Sequence, residues 1–391
     1  MTYLDQIIGE LCPSGVLFAE LGSVASITQG TQLNRAELTE DGDYPVLNGG
    51  IRPSGRWRDF NVEANTIAVS QGGASAGFVN FVTERFWAGA HCYVVKPAGD
   101  IVQNRFLYFV LKKLQSQIQA SKAGAGIPGL ARGHLKALRV PLPPLEVQKE
   151  IVRILDTFTE LEAELEAELE ARTRQYSYYR DLLITNSVAE NIPLVRLGDV
   201  GEFFRGRRFT KEDMSSEGLP CIHYGEIYTS YGVATHTTRS RVRPELSSQL
   251  RFAQLGDVVV AAVGETVEDV GKSVAWLGVD PVAIHDDTFL YRSELDPKYV
   301  VYCTQSALFN RQKEKFVTRA KVKRLSGQSL AMLEIPVPPL AEQERIVATL
   351  DSFNELNSNL AFGLPAELRA RRQQYEYYRD RLLSFRELAD G

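Results

Sequence analysis

Two patterns of hydrophobic and polar positions alternate along this chain, and each occurs twice. In residues 140–191 and 335–391, apolar side chains recur at spacings of three, four and seven residues, which is typical of a long helix. Before each of these segments, short β-rich runs alternate with Gly, Asn and Asp turns and end in a helical run, Asn104–Gln119 or Pro297–Lys315. The pattern predicts an α+β fold with two tandem mixed α/β domains, each followed by a long helix.

This order of elements reflects an internal repeat. The phrase PLPPLEVQKEIVRILDTF at Pro141–Phe158 returns as PVPPLAEQERIVATLDSF at Pro336–Phe353, with 10 of 18 positions identical. A second phrase closes each helical segment, RQYSYYRDLL at Arg174–Leu183 and QQYEYYRDRL at Gln373–Leu382. The globular regions also begin alike, with FAELGSVASITQG and LVRLGDVGEFFRG. Self-similarity at a long spacing indicates one structural unit used twice, and thus a pseudo-twofold repeat.

The two helical segments differ in length. The first stripe predicts a helix of roughly 35 to 40 residues. The second runs from Leu340 to Leu382, with four additional residues between the shared phrases. Gly363 and Pro365 lie within this longer segment, so we expect a kink or a short break near residues 362–366.

Two apolar stripes in one chain need surfaces that cover them. The simplest cover is the other helix, in an antiparallel or head-to-tail coiled coil; the alternative is that each helix packs on its own globular domain. The glutamate-rich stretch LEAELEAELEAR suits either a solvated face or a partner-binding face. The residues predicted to form this spacer and to dock partners are Ile151, Leu155, Phe158, Leu161, Tyr176, Tyr179, Ile346, Leu350, Phe353, Leu356, Tyr375 and Tyr378.

Composition excludes several classes of protein. The 391 residues are 44% hydrophobic and 24% charged, as in ordinary globular proteins, and no apolar run is long enough to cross a bilayer. Asp5 and Glu10 interrupt the apolar N-terminal stretch, which makes it a poor signal peptide. We therefore expect a cytoplasmic protein. The cysteines are too scattered for a disulfide framework or a zinc site: Cys12, Cys92, Cys221 and Cys303.

Motifs for catalysis are missing from the sequence. It contains no GxxxxGK[ST] phosphate loop, no HExxH, no GxSxG elbow and no dinucleotide-binding glycine fingerprint between a strand and a helix. The histidines are isolated from one another, so His91 and His285 are expected to serve packing or hydrogen bonding. Asp296 and Pro297 indicate the start of a helix. These observations predict a chain without catalytic or metal-binding residues.

Charge is distributed unevenly. The formal net charge is −5, yet residues 20–139 carry +4 and residues 196–334 carry +1, whereas residues 140–195 carry −6. Basic side chains cluster in loops of the two globular regions, as either solvated surface or a surface for DNA phosphates and bases. The predicted DNA-binding residues are Arg52, Arg56, Arg58, Gln71, Lys122, Arg205, Arg207, Arg208, Lys211, Tyr224, Arg239, Arg241, Arg243, Lys272, Arg319, Lys321 and Lys323.

Taken together, these motifs resemble the DNA-specificity subunit of type I restriction-modification systems. The resemblance is carried by the duplicated PxPPLxxQxxIVxxLD phrase, the duplicated QYxYYRDxL closure, LCPSGV at Leu11, IHYGEIYT at Ile222 and GDVVVAAVGETVEDVGK at Gly256. It covers essentially the whole chain. The four extra residues of the second helix depart from symmetry, which leaves the distance between half-sites open.

The resemblance implies a non-catalytic subunit. Its target-recognition domains would occupy residues 1–139 and 192–334, and its conserved spacer helices residues 140–191 and 335–391. Each recognition domain would read one half of a bipartite double-stranded DNA target, and the spacer would dock two adenine-N6 methyltransferase subunits, through which ATP-driven restriction and translocase subunits join.

The resemblance also implies that S-adenosylmethionine, ATP and Mg²⁺ bind to those partner subunits, so that this chain binds no cofactor and contacts no membrane. The alternative function is a coiled-coil protein-interaction scaffold without base-specific readout of DNA.

Overall fold

The chain divides into two units, and each of them takes residues from both long helical segments. The computed structural model describes residues 3–98, 101–122, 128–189, 192–318 and 322–388; the side chains of residues 187–189 and 355–363 lie outside this description. Unit 1 contains Met1–Glu166 and Ala366–Gly391, and unit 2 contains Ala167–Pro365. Each unit therefore combines one globular region with the first part of the helix that follows it and the last part of the other helix.

Unit 1 is built on a four-stranded antiparallel sheet of order β2-β8-β5-β6, with a three-stranded sheet β4-β3-β7 and the pair β1-β9. In chain order its elements are α1 (Tyr3–Leu11), β1 (Leu17–Glu20), α2 (Leu21–Val24), β2 (Ala25–Gln29), β3 (Tyr44–Leu47), β4 (Arg56–Trp57), β5 (Thr66–Ser70), β6 (Val79–Val82), β7 (Trp87–Ala88), β8 (Cys92–Pro97), α3 (Asn104–Lys113), α4 (Gln115–Ala120), α5 (Arg132–Lys136) and β9 (Arg139–Leu142), and the long helix α6 (Leu145–Ala189) follows.

Unit 2 holds two five-stranded sheets, β11-β21-β17-β19-β14 and β12-β15-β13-β20-β16, and the pairs β10-β23 and β18-β22. Its elements are β10 (Leu194–Arg196), α7 (Leu197–Val200), β11 (Gly201–Arg205), β12 (Met214–Ser215), β13 (Leu219–Ile222), α8 (Tyr224–Thr229), β14 (Ala234–Thr235), β15 (Ser240–Val242), β16 (Phe252–Ala253), β17 (Val258–Ala261), β18 (Val263–Gly264), β19 (Ser273–Trp276), β20 (Val282–Ile284), β21 (Thr288–Ser293), α9 (Pro297–Gln305), α10 (Ala307–Lys313), β22 (Lys323–Arg324), α11 (Gly327–Ala331), β23 (Glu334–Pro336) and α12 (Leu340–Leu382). Short 3-10 turns lie at Arg35–Glu37, Lys211–Asp213 and Pro244–Gln249.

The central strands are short runs of β-branched and small apolar residues. All residues of β5 (TIAVS) and of β17 (VVVA) are buried, which suits strands covered on both faces. Helix α3 contacts β5 and β8, and helix α9 contacts β17 and β19. The α+β class is confirmed, and short strands separated by turns precede each long helix, as the pattern predicts.

A buried glutamine in each repeated phrase joins the globular region to its long helix. Gln148 is fully buried; its Oε1 accepts from Gln103 N at 2.8 Å and its Nε2 donates to the carbonyl five residues earlier at 2.8 Å. Gln343 repeats the arrangement, accepting from Asp296 N at 3.0 Å and donating to the carbonyl five residues earlier at 2.8 Å. The repeated phrase is therefore a structural joint as well as a helix start.

The first turns of both long helices enter the cores of the units. Ile151 and Leu155 lie in the unit 1 core together with Leu383, which directly follows α12. Ile346 and Leu350 lie in the unit 2 core together with Ile184 from the end of α6. Packing on the helix's own globular domain, one of the two alternatives, is therefore correct for these turns.

Further along, the helices pair with each other. In unit 1, the rings of Phe158 and Tyr378 stack with centroids 5.4 Å apart. In unit 2, Tyr179 and Phe353 stack at 5.3 Å. Each stack joins the opening phrase of one repeat to the closing phrase of the other.

A second contact in unit 1 shows the direction of this pairing. Glu162 follows Phe158 by one helical turn and accepts from Arg372 Nε at 2.6 Å, and Arg372 precedes Tyr378. Rising residue numbers in α6 therefore meet falling numbers in α12, and the helices of unit 1 pair in an antiparallel manner, as the coiled-coil alternative proposed.

Three expectations about helices need correction. Helix α12 is continuous from Leu340 to Leu382 and contains Pro365, so the short break expected near residues 362–366 does not occur in this helix, and the kink stays a prediction. Helix α6 has 45 residues and is longer than predicted. The helical run of each globular region is divided in two; in unit 2, Ser306 ends α9 and caps α10 by accepting from Phe309 N.

The predicted helix start at Pro297 is confirmed, since the Asp296 side chain caps α9. Within the described parts of the chain, no helix combines the length and the apolar character that crossing a bilayer requires.

Candidate nucleic-acid interface

The two units share a backbone arrangement where the first strand of each central sheet ends. In unit 1, Gly30 N donates to Cys92 O at 2.9 Å; in unit 2, Gly206 N donates to Thr288 O at 3.0 Å. The equivalent strands β2 and β11 therefore leave their sheets in the same way, and Gln29 and Arg205 occupy the same last strand position.

The strands β5 and β17 end in an equivalent pair of backbone hydrogen bonds in the two units. Gln71 N donates to His91 O at 2.8 Å, and Leu130 N donates to Gln71 O at 2.7 Å. In unit 2, Ala262 N donates to Asp287 O at 2.8 Å, and Leu325 N donates to Ala262 O at 2.9 Å. We call this arrangement the strand-end frame; it is defined by Gly30, Gln71 and Leu130 in unit 1 and by Gly206, Ala262 and Leu325 in unit 2.

A glycine with positive φ closes the loop beside each frame. Gly77, at φ +86°, donates from N to Ser70 O at 2.7 Å; Gly271, at φ +83°, donates to Ala261 O at 2.9 Å. Residues with a Cβ rarely adopt this conformation. These loops are GGASAG and ETVEDVG, the two glycine-containing turns that the sequence pattern indicates. In unit 1 the loop is also held by Lys122, whose Nζ donates to Ala74 O at 3.2 Å.

In unit 2, a surface cavity of about 750 Å³ opens beside the strand-end frame. Basic, acidic and aromatic side chains line it, so it offers hydrogen-bond donors, acceptors and ring faces together. Its lining includes Arg205, Arg208, Phe209, Lys211, His223, Glu226, His285, Asp286, Asp287 and Arg324.

Two of the acidic residues of this cavity, Asp286 and Asp287, lie close to arginines. His285, Asp286 and Asp287 offer potential metal ligands within 4.8 Å of one another. However, Arg205 Nη2 lies 3.8 Å from an Asp286 carboxylate oxygen, and Arg324 Nη1 lies 3.5 Å from an Asp287 carboxylate oxygen. Each of these two carboxylates therefore lies within ion-pair distance of a guanidinium.

The rings of Phe209, His223 and His285 line the cavity. The centroids of His223 and His285 are 4.8 Å apart, and Tyr224 lies 4.4 Å from His223. Burial lowers the pKa of His223, and the neighbouring His285 lowers it further. Neutral His223 accepts from Gly225 N at 3.3 Å and caps α8. His285 hydrogen-bonds Phe209 O at 3.1 Å, so the hydrogen-bonding role expected for it is confirmed.

The corresponding edge of unit 1 is neutral and amide-rich. Gln29 Nε2 donates to Gln71 Oε1 at 3.0 Å and to Ala90 O at 2.6 Å. The His91 side chain is exposed next to them. The two units thus place different polar side chains on the same backbone arrangement.

The structure brings together some of the predicted DNA-binding residues. Arg205, Arg208 and Lys211 line the unit 2 cavity. Arg207 is exposed beside them, and the ring of Tyr224 packs against His223, which lines the cavity.

Other predicted residues make contacts within their own unit. Arg56 donates to Gly42 O and Asp43 O, both at 2.6 Å, and Arg241 donates to Gly218 O at 2.8 Å. Arg243 pairs with Asp213, and Lys272 with Asp269 at 2.8 Å. The Arg58 guanidinium lies over the Trp57 ring at 5.1 Å. These side chains therefore have partners within their own unit, and their role in DNA binding stays a prediction.

The remaining predicted residues are spread over other loops. Arg52 and Arg239 are exposed, and Lys323 lies on β22. Arg319 and Lys321 lie outside the described residues. Gln29, which precedes the frame glycine of unit 1, was missing from the prediction. A signal for Gln29 existed, because it precedes Gly30 in the repeated start as Arg205 precedes Gly206.

Most of the predicted spacer residues are covered within their own units. Tyr176 packs against the unit 2 core and Tyr375 against the unit 1 core. Leu161 is 38% exposed, and the Leu356 side chain lies outside the description. The large exposed side chains of the closing phrases are Tyr178 and Tyr377, at 64% and 61%.

Comparisons with known proteins agree with this architecture. The family described as type I restriction modification DNA specificity domain matches residues 13–171 and 190–370. The chain is 31% identical, over 420 aligned positions, to the EcoR124I/EcoR124II specificity subunit of Escherichia coli, covering 98% of this chain and 97% of that protein. It is 30% identical to a Haemophilus influenzae protein named as a type I restriction enzyme specificity subunit, with 98% of both chains covered.

Solved structures share the fold. The S subunit of a type I restriction-modification system from M. genitalium superposes with a TM-score of 0.57 at 19% identity, covering 94% of this chain and 96% of that one. A chain from a study of complex assembly and conformational transition in the type I system gives a TM-score of 0.54 at 18% identity, covering 95% and 98%. The resemblance seen in the motifs is confirmed, and the chain belongs to the type I restriction-modification DNA specificity family, with two copies of its domain.

Proposed function

We propose that each unit of this specificity subunit reads one half of a bipartite double-stranded DNA target. The observation that carries the proposal is the strand-end frame, which both units build with the same hydrogen bonds but equip with different polar side chains. A shared backbone with exchanged side chains is suited to reading two different half-sites, because base edges differ in their pattern of donors and acceptors.

Charge supports DNA as the ligand. The overall net charge of −5 is concentrated outside the globular regions, since residues 20–139 carry +4 and residues 196–334 carry +1. Exposed arginines and lysines near the frames can neutralise phosphates and hold the protein in register, while the frame side chains reach the bases. We therefore assign the recognition domains to residues 1–139 and 192–334 and the spacer to residues 140–191 and 335–391.

We further propose that the spacer docks two methyltransferase subunits, one for each repeat. The stacked residues Phe158, Tyr179, Phe353 and Tyr378 are engaged in pairing the helices. An exposed tyrosine lies beside each stack: the ring of Tyr178 contacts Tyr179, and the ring of Tyr377 contacts Tyr378. Because this surface occurs twice, it suits two copies of one partner. Exposed aromatic side chains are also common anchors of protein interfaces.

In this assembly the chemistry belongs to the partners. S-adenosylmethionine would bind to the methyltransferase subunits, and ATP and Mg²⁺ to restriction and translocase subunits that join through them. The absence from this sequence of phosphate-loop and dinucleotide-binding motifs supports that division.

The test is to purify the chain with its cognate methyltransferase and to sequence the DNA that the complex modifies. We expect a two-part motif with a fixed gap, and no such motif from the methyltransferase subunits alone. Modification at a continuous site, or at none, refutes the proposal.

The salt dependence of DNA binding distinguishes the proposed function from the alternative of a protein-interaction scaffold. DNA binding through phosphates weakens steeply as salt rises. A complex that forms normally but binds DNA with no salt-dependent affinity and no sequence preference would favour the scaffold.

A further inference from the structure

We propose that Gln29 and Arg205, the equivalent side chains that precede Gly30 and Gly206, are specificity-determining residues. In unit 1, Gln29 and Gln71 together read an adenine; in unit 2, Arg205 reads a guanine. The inference rests on the proposed function, because it names the bases that two members of the strand-end frames contact.

Gln29 and Arg205 are equivalent in their side-chain hydrogen bonds as well as in their position at the end of a strand. Gln29 Nε2 donates to Ala90 O at 2.6 Å, and Arg205 Nε donates to Asp286 O at 2.9 Å. Both acceptors lie two residues before the residue whose carbonyl accepts from the frame glycine. One hydrogen bond thus anchors each side chain to an equivalent backbone carbonyl, and both residues are exposed.

The unit 1 amides present a donor and an acceptor. Both Nε2 hydrogens of Gln29 are used, by Ala90 O and by Gln71 Oε1. Across the described residues, no group hydrogen-bonds to Gln29 Oε1 or to Gln71 Nε2, so an acceptor and a donor remain on neighbouring amides. The major-groove edge of adenine offers the complement, an N6 donor and an N7 acceptor.

This amide pair is held in place before DNA arrives. The backbone of Gln71 is bonded on both sides, to His91 O and from Leu130 N. A head group that is already oriented loses less conformational freedom when it binds a base. The pairing of the two glutamines therefore favours a fixed base contact over a mobile surface contact.

The unit 2 frame lacks the second amide and carries a guanidinium. Ala262 stands where unit 1 has Gln71, so Arg205 has no amide partner there. Its Nε is anchored, and its terminal nitrogens are exposed donors, with Asp286 at 3.8 Å on one side. An arginine fork that donates to guanine O6 and N7 is the commonest specific contact to DNA. The nearby Asp286 carboxylate would weaken the attraction of Arg205 to a DNA phosphate, whereas it helps to orient the guanidinium for two hydrogen bonds to a base.

The test exchanges the two side chains, Gln29→Arg and Arg205→Gln, in the complex with the methyltransferase. Either new side chain can still donate to the anchoring carbonyl. We expect Arg205→Gln to lose about 5- to 150-fold of its preference for one G·C pair, in one half-site only. Gln29→Arg should lose a similar preference for one A·T pair in the other half-site. The readouts are the modified motif and competition binding by duplexes in which single base pairs are replaced.

Matched controls remove the same chemistry elsewhere in each unit. Gln117 and Arg311 are exposed on α4 and α10, and Gln117→Ala and Arg311→Ala should leave the motif unchanged. Gln71→Ala copies the alanine of unit 2 and keeps the backbone contacts. It provides a second test of the A·T preference if an exchange variant fails to fold, and a retained preference in this variant overturns the unit 1 assignment.

Two outcomes overturn the inference while leaving the proposed function intact. One is an unchanged motif in both exchange variants. The other is a uniform loss of affinity over all sequences together with a shallower salt slope, which would assign the residues to phosphate. A wild-type complex without a two-part motif refutes the proposed function itself.

Discussion

Replacing Gln148 by leucine tests the joint between the globular region of unit 1 and its long helix. Leucine has a similar size but no polar atoms. The change therefore removes the partner of Gln103 N, at 2.8 Å, and of two backbone carbonyls, those of Ile101 at 3.0 Å and Pro143 at 2.8 Å.

The magnitude follows from the number of groups left unpaired. Each one costs about 1–2 kcal/mol at a partly buried position, and burial of the leucine returns about 1.5 kcal/mol. The expected net loss in unit 1 is about 3 kcal/mol, a large part of the 5–15 kcal/mol that is typical of a domain. Gln343→Leu removes two described hydrogen bonds, to Asp296 N and Pro338 O, and should cost unit 2 about 1.5 kcal/mol.

The assay must report on each unit separately, because a chain with two units need not unfold in one transition. Hydrogen exchange followed by mass spectrometry does so, and the Gln103 amide is a direct reporter since it donates to Gln148. Gln175→Leu is the control, because Gln175 is exposed on the same helix. A Gln148→Leu protein that keeps the protection of Gln103 and loses less than about 1 kcal/mol would refute this reasoning.

Three further changes test other parts of the structure. Gly77→Ala should destabilise unit 1 by about 1–3 kcal/mol in thermal unfolding, because φ is +86° and the new Cβ would lie 3.0 Å from a neighbouring helix backbone. Gly73 also has a positive φ but has open space around it, so Gly73→Ala should cost less. Equal losses of stability in the two variants would contradict the steric part of this explanation. Burial lowers the pKa of Lys313 from 10.5 to about 8, so the unfolded state binds more protons than the folded state between these two pH values. The stability of unit 2 against denaturant should therefore rise with pH across this window, by up to about 3 kcal/mol. Lys313→Met should abolish the rise, and a rise that persists in this variant would exclude the lysine as its cause. The pKa of His223 is lowered from 6.5 by burial and by His285, so the unfolded state protonates first and unit 2 should lose stability as pH falls below about 6.5; His223→Asn, which keeps a helix cap, should show a flatter pH profile, and an unaltered one would contradict the assignment.

The helical phrases show how far sequence reasoning reached. Spacing alone predicted where α12 begins and ends, and it predicted that Phe158, Tyr179 and Phe353 lie on apolar stripes. It left open whether the stripes face each other or the globular domains. Both arrangements occur in the structure, because the first turns of each long helix enter the cores and the later turns pair with the opposite helix. A stripe records that a face is buried, but not what buries it.

The basic residues show the opposite limit. Clusters of arginine and lysine predicted a DNA surface, yet Arg56, Arg241 and Arg243 donate to groups of their own unit. Gln29, which has no charge, was missing from the prediction although it sits at a strand-end frame. Composition reports how many donors a segment has, whereas their use depends on which acceptors the fold brings within about 3 Å.

The sequence by itself determined the two-copy plan, the helix and strand content and the family, because periodicity, turn residues and repeated phrases are local properties of the chain. Only the tertiary structure decided that Phe158 of one repeat meets Tyr378 of the other, and that Gln29 meets Gln71 at the end of a sheet. Those contacts join residues that are far apart along the chain. Strand register and long-range packing select them, and both depend on the free energy of the whole fold rather than on any segment's own preference.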